Sequence, residues 1–250
     1  MSVPLLVEFY NALPDDALRG GLDWPTTPSI TNREEGRSTE SKRVGGKARR
    51  RAAIHVFRKQ VQQRYTEGTL RRVLLTGDVA GRRAAAFALG LLGAPAINDD
   101  LAAALLDPDE EVARLACEAL WTVWFRGDNS AHSNELYRIL RLRDRAAALA
   151  ALDDLIRQAP QFAEAYNQRA ILYFRLEKFD RAVSDCESTL RLNPFHFGAQ
   201  AGLGQSLLRL RKPRAALRAF RVALRINPRL DDIADTVRSL ENALGEEGRF

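Results

Sequence analysis

Apolar residues recur at three- and four-residue spacing along most of this chain, and beyond about residue 48 no stretch reads as a strand. Ile54, Phe57, Val61 and Tyr65 share one helical face, while Arg51, Arg58, Lys59 and Arg64 fall largely on the other sides. Ala, Leu and Arg dominate the chain beyond Tyr65, and all three are strong helix formers. The apolar runs are broken by "TGD", "DPDEE", "RGDNS", "NPF" and "NPR", which supply Asp or Asn as caps and stop signals. The pattern predicts many short helices paired in hairpins. Ahead of them, residues 1–48 carry few apolar side chains to repay ordering and predict a flexible basic arm. Its one exception is "VPLLVEFY", apolar enough to dock on the body.

The hairpins repeat. Residues 161–194 and 195–228 align without a gap and share nine identities, among them Ala165/Ala199, Arg175/Arg209, Ala182/Ala216 and the pairs Asn193–Pro194 and Asn227–Pro228. A 34-residue period with small and bulky residues at these offsets resembles the tetratricopeptide repeat, a helix-turn-helix unit. The first unit matches at Tyr166, Ala170, Tyr173, Ala182 and Pro194. The second matches at Leu203, Gly204, Leu207, Ala216, Phe220, Ala223 and Pro228. Cys186, Thr189 and Gln200 depart from the pattern where aromatic or Ala residues are usual. A weaker unit precedes them, with Ile139, Ala148, Leu152, Leu155 and Pro160 and a shortened first helix. After Pro228, "LDDIADTVRSLENALG" reads as an amphipathic capping helix, so the repeats and cap span residues 132–245.

A second period lies upstream. Leu74–Gly90 aligns with Leu105–Trp121 at a 31-residue offset, sharing Asp78/Asp109, Arg83/Arg114, Ala85/Ala116 and Ala88/Ala119. This is similar to the short HEAT repeat, a form also found in lyases that attach bilins, and it assigns residues 49–126 to HEAT-like units. In it the Asp opens a helix and the Ala positions let helices approach. Together the two resemblances imply an all-α fold: a right-handed α-solenoid of antiparallel helix pairs, HEAT-like units first, then tetratricopeptide units and a cap. Trp121, Trp124 and Phe125 sit at the joint, as interface core or as an exposed aromatic site.

Composition refines this picture without changing it. Hydrophobic residues make up 46% and charged residues 28% of the 250, a soluble globular balance. The longest apolar runs, such as Leu101–Leu106, are far too short to span a membrane, and the N-terminus does not read as a signal peptide. Cys117 and Cys186 both fall in predicted helices and read as thiols of a cytoplasmic protein. The net charge of +6 is concentrated: Arg33–Arg72 holds 13 Lys/Arg against 4 Asp/Glu. That segment reads either as a solubilising tail with the charged face of a first helix, or as a contact for nucleic acid or an acidic partner.

Nothing in the chain points to catalysis, a metal or a cofactor. His55, His132 and His196 are far apart and have no neighbour at metal-ligand spacing. "GGKARR" lacks the remaining residues of a phosphate loop, and "GLG" at 202–204 lies within a repeat helix. A helix-pair stack does offer a groove lined by the first helix of each pair. By resemblance, that groove binds a peptide or a helix of a partner protein. Its expected lining here is Asn167, Ile171, Phe174 and Arg175, then Ala201, Gln205, Leu208 and Arg209. Arg141, Arg175 and Arg209 recur at 34-residue steps, a set of guanidinium groups suited to an acidic segment. The expectation is therefore a non-enzymatic scaffold, with a nucleic-acid-associated helper as the alternative. A bilin-lyase-like enzyme is a third reading that rests on fold analogy alone.

Overall fold

The structure is a computed structural model and describes residues 4–14, 17 and 40–245. Every regular element among these residues is a helix, and there is no strand. Much of the flexible arm expected over residues 1–48 lies outside the described residues. Where it is described, Pro4–Asn11 form helix α1 and Glu40–Arg64 form α2. The chain divides into two compact units, residues 1–123 and 124–250.

In the first unit α3 (Glu67–Thr76), α4 (Val79–Leu92), α5 (Asn98–Ala104) and α6 (Glu110–Phe125) come after α2. The residues 31 apart that the sequence pairs as helix openers do that job. Asp78 accepts from the Gly81 amide at 2.7 Å, and Asp109 accepts from the Val112 amide at 2.9 Å. Residues 84–91 of α4 are all buried, and a Cβ on Gly90 would stand 3.0 Å from that of Ala119, so α4 and α6 touch along small residues. The apolar patch of the N-terminus does dock. Leu6 and Tyr10 of α1 are buried, and Tyr10 meets Phe87 edge-on at 5.8 Å. Phe57 of α2 meets the same ring at 5.2 Å. Burial pushes the Tyr10 hydroxyl up to about 12, with the Glu111 carboxylate adding to the effect.

The second unit contains α7 (Ser130–Ile139), α8 (Arg145–Gln158), α9 (Ala163–Arg175), α10 (Phe179–Leu192), α11 (Phe197–Arg209), α12 (Pro213–Ile226) and α13 (Asp231–Leu244). Each packs on the next, and α9 also touches α11. This is a solenoid of antiparallel helix pairs. Its repeat is visible in the turns. Glu177 and Arg211, 34 residues apart, both take φ 58° between the helices of a pair. Asn193 and Asn227 are both buried after the second helix, and their side chains accept from the amides of Phe195 and Arg229. Asn-Pro is thus a turn as well as a stop: the Asn folds the chain back and the Pro cannot continue the helix.

The helices of the last pair approach through one glycine. A Cβ on Gly204 would lie 2.5 to 2.8 Å from the ring of Phe220, which is itself fully buried. The capping helix α13 completes this core with Ile233 and Val237, and its Glu241 takes two hydrogen bonds from Arg221 at 2.8 and 3.0 Å. The polar outer face expected for a cap is carried by Asp231, Asp232, Asp235 and Arg238.

The two glycines of α11 are expected to respond differently to a methyl group. Gly204→Ala will lower the urea-unfolding free energy by about 1–3 kcal/mol through overpacking. Gly202→Ala, whose new Cβ would meet only Cys186 Sγ at 3.5 Å, will be neutral or stabilising by up to about 1 kcal/mol. In the first unit, the forked hydrogen bonds from Arg83 hold the Asp109 carboxyl down to about 2. Because that value lies below the unfolded one, the contribution is complete above about pH 4 and is lost as pH falls towards 2. Asp109→Asn will flatten the acid-unfolding profile in that window, measured by circular dichroism.

Candidate functional site

The geometry of the second unit is set where α9 and α11 begin. His196, immediately before α11, accepts from the Ala199 amide on Nδ1 at 3.0 Å, which caps the helix. With Nδ1 accepting, Nε2 carries the hydrogen and donates it to Glu164 of α9 at 2.9 Å. The other carboxylate oxygen of Glu164 accepts from Asn167 at 3.0 Å and Gln168 at 2.6 Å. Glu164 is the second residue of α9, where exposed amides favour a negative charge. Trp124 lies over the imidazole with ring centres 4.0 Å apart. Glu164 and His196 are both completely buried. Among the described residues, no buried side-chain nitrogen or oxygen lacks a hydrogen-bond partner.

This network revises one expected groove contact. Asn167 does not line a surface, since it is 2% exposed and its amide is committed to Glu164. Ala201 and Leu208 are half-buried against the cluster of Ala216, Leu217, Phe220, Ile233 and Val237, so part of each serves the core. Ile171, Phe174 and Gln205 are half-buried. Arg175 and Arg209 are exposed and are the last residues of α9 and α11. Arg141 is also exposed, but it lies in the turn after α7 and outside the helix-end register of the other two. Trp124 and Phe125 are 3% exposed and Trp121 is half-buried, so the first two aromatics are core.

Arg209 has the most developed surroundings of the set. Its guanidinium carbon lies 4.4 Å from the ring centre of Phe179 and 5.8 Å from that of Phe174, two rings that meet edge-on at 5.4 Å. Its nearest carboxylate is Glu177 at 3.8 Å, with side chains 49% and 76% exposed. A pair this long and this wet contributes about 0–1 kcal/mol. The guanidinium of Arg175 has its pKa lowered by partial burial and then by the charge of Arg145. By contrast, Arg169 is fully engaged: it forks to Asp185 at 2.7 Å through two nitrogens and reaches Asp153 at 2.6 Å, tying α9 to α10 and α8.

The repeat geometry has a counterpart in comparison with known families. Residues 140–196 and 167–231 each match the family model of the tetratricopeptide repeat. Together the two matches cover residues 140–231, the part of the chain that carries the helix-pair repeat. A TPR repeat-containing protein of Rhizobium etli is 37% identical over 82 residues, 33% of this chain, and the chain spans 40% of that relative's length. Among solved structures, the first TPR of Spaghetti (RPAP3) bound to the HSP90 peptide SRMEEVD is 23% identical with a TM-score of 0.43. It covers 46% of this chain and 91% of its own. MamA (MSR-1) is 16% identical with a TM-score of 0.41, covering 60% of this chain and 87% of its own.

The tetratricopeptide segment also holds a charge cluster that the basic N-terminal segment overshadows in the sequence. From Ser188 to Leu230 there are nine Lys/Arg and no Asp or Glu. Four of the arginines, Arg214, Arg218, Arg221 and Arg225, lie on α12 at spacings of four, three and four. Counting acids and bases along a sliding window would have found it. Among the described residues no helix is long and apolar enough to cross a membrane, and no group of three His, Cys, Asp or Glu side chains could hold a metal ion.

The buried place of Asn167 has a direct test. Asn167→Asp will set a second carboxylate beside Glu164 and lower the urea-unfolding free energy by more than about 2 kcal/mol. Gln205→Glu, at a half-buried position of α11, will cost less than about 0.5 kcal/mol.

Proposed function

We propose that this protein is a non-enzymatic scaffold. In this reading a peptide or helix of a protein partner lies along α9 and α11, with an acidic segment of the partner meeting Arg175 and Arg209. Tetratricopeptide repeats are generally protein–protein interaction modules, and residues 140–231 match their family model. The observation that carries the acidic preference is Arg209. Two aromatic rings of the preceding repeat hold its guanidinium in place, while its own carboxylate neighbour is distant and exposed. A carboxylate from a partner gains a pre-oriented donor there, and little is lost by releasing Glu177. Arg175 supports the same sign of ligand, because an anion beside it relieves the repulsion from Arg145.

The apolar component comes from Ile171 and Phe174 and the exposed parts of Ala201 and Leu208, which flank the two arginines in sequence. Residues 49–126 are read as HEAT-like units; the matched caps of Asp78 and Asp109 support that reading.

Affinity capture with crosslinking mass spectrometry tests the proposal. Full-length protein is compared with Arg175→Glu/Arg209→Glu. The major crosslinked partner will fall about tenfold or more in the variant, as expected when buried charge contacts of an interface are reversed. Its crosslinks in the unsubstituted protein will map to α9 and α11. Equal recovery by the two proteins would overturn the assignment of this face.

A further inference from the structure

We infer that the arginine face of α12 is a docking surface for the phosphate backbone of duplex DNA, read without regard to sequence. At 100° per residue, Arg214, Arg218, Arg221 and Arg225 fall within an arc of about 60° on one side of the helix. The opposite side, with Ala216, Ala219, Phe220 and Ala223, is buried in the core. Arg221 is turned to Glu241, whereas Arg214, Arg218 and Arg225 are exposed, and Arg211 and Lys212 add exposed cations at the start of the helix. No carboxylate within ion-pair distance engages Arg218, Arg225, Arg211 or Lys212 among the described residues.

The repeat does not require these arginines. One period earlier, on α10, the positions of Arg214, Arg218, Arg221 and Arg225 are held by Asp180, Ser184, Glu187 and Arg191. One period before that they are Ala146, Ala150, Asp153 and Arg157. Packing therefore leaves three of the four sites open to other residues, and only α12 has filled them all with one charge.

The chemistry of the face selects among polyanions. A protein or membrane partner needs an apolar centre to desolvate, and this arc has none; the half-buried Ala215 and Val222 lie to one side of it. A single strand or a folded RNA would be gripped by aromatic stacking or by hydroxyl and amide donors, and the arc carries neither. A rigid row of guanidinium groups suits phosphates that are themselves fixed in a regular duplex. Arg214 to Arg225 spans about 16 Å of helix, the length over which one strand of a duplex presents about five phosphates. This surface is separate from the face of α9 and α11 proposed for a protein partner, and the variants that test the two share no residue.

The test is fluorescence anisotropy of the full chain with a labelled 20-base-pair DNA duplex. Four neutralised phosphates predict that affinity falls about 100-fold between 50 and 200 mM NaCl. Arg211→Gln/Lys212→Gln/Arg218→Gln/Arg225→Gln will weaken binding at 50 mM about tenfold or more and reduce the salt slope by about 3 to 4. The smaller variant Arg218→Gln/Arg225→Gln will reduce the slope by about 2, and Arg218→Lys/Arg225→Lys will bind within about threefold of the unsubstituted protein. Thermal melts establish that each variant is folded. Arg58→Gln/Lys59→Gln on α2 will change affinity less than about threefold. The inference is overturned if the duplex does not bind at 50 mM NaCl or if the α12 variants bind unchanged. It is also overturned if the α2 variant carries the loss, or if duplex RNA, polyglutamate or phosphatidylserine vesicles bind more tightly than DNA.

Discussion

The spacing of the surface in the second unit depends on one buried imidazole. His196 ends the turn before α11, caps that helix through Nδ1 and reaches Glu164 at the start of α9 through Nε2. Neither ring nitrogen has latitude, since each bond fixes the role of the other. Glu164 in turn orders Asn167 and Gln168, and Trp124 covers the ring. Polar groups this deep are tolerated only when fully satisfied, and removing any one strands the rest. The network therefore does what apolar packing alone does poorly: it specifies one register between two helices.

From that register the rest of the geometry follows. With their starts pinned, α9 and α11 both run thirteen residues and end at Arg175 and Arg209. The left-handed turns at Glu177 and Arg211 then send the chain into α10 and α12. Gly204 lets α12 close onto α11, and the same rotation that buries Phe220 sends Arg214, Arg218 and Arg225 outward. The two proposed surfaces thus fall on different helices of a pair. The ends of α9 and α11 present guanidinium groups beside aromatic and aliphatic carbon, a mixed surface fit for a protein. The back of α12 presents charge with no apolar centre, fit for a polyanion.

Much of this was legible in the sequence because it is periodic. The 34-residue identities located the helix pairs, the cap and the Asn-Pro turns, and the 31-residue offset located the capping Asp78 and Asp109. Small residues at repeat positions announced close helix approach, which Gly204 and Gly90 display. The features that escaped are aperiodic. Glu164 and His196 are 32 residues apart and have no counterpart in the next repeat, where Gly198 stands at the position of Glu164. Asn167 looked like a groove residue because its position implied exposure; the carboxylate that draws it inward is visible only in three dimensions. The α12 face escaped for another reason. Charge summed over the whole body cancels the nine cations of the surrounding segment against acids elsewhere, although no acid lies between Ser188 and Leu230.

A double-mutant cycle on the Glu164–His196 pair bears most directly on this account. Urea unfolding of Glu164→Ala, His196→Ala and the double variant gives the coupling energy between two side chains in different repeats. If the pair sets the register of α9 and α11, the coupling will be about 2 kcal/mol or more, because each single variant strands the other group in the core. A coupling below about 0.3 kcal/mol would mean that the two residues contribute independently, and would contradict the claim that this link organises the repeats.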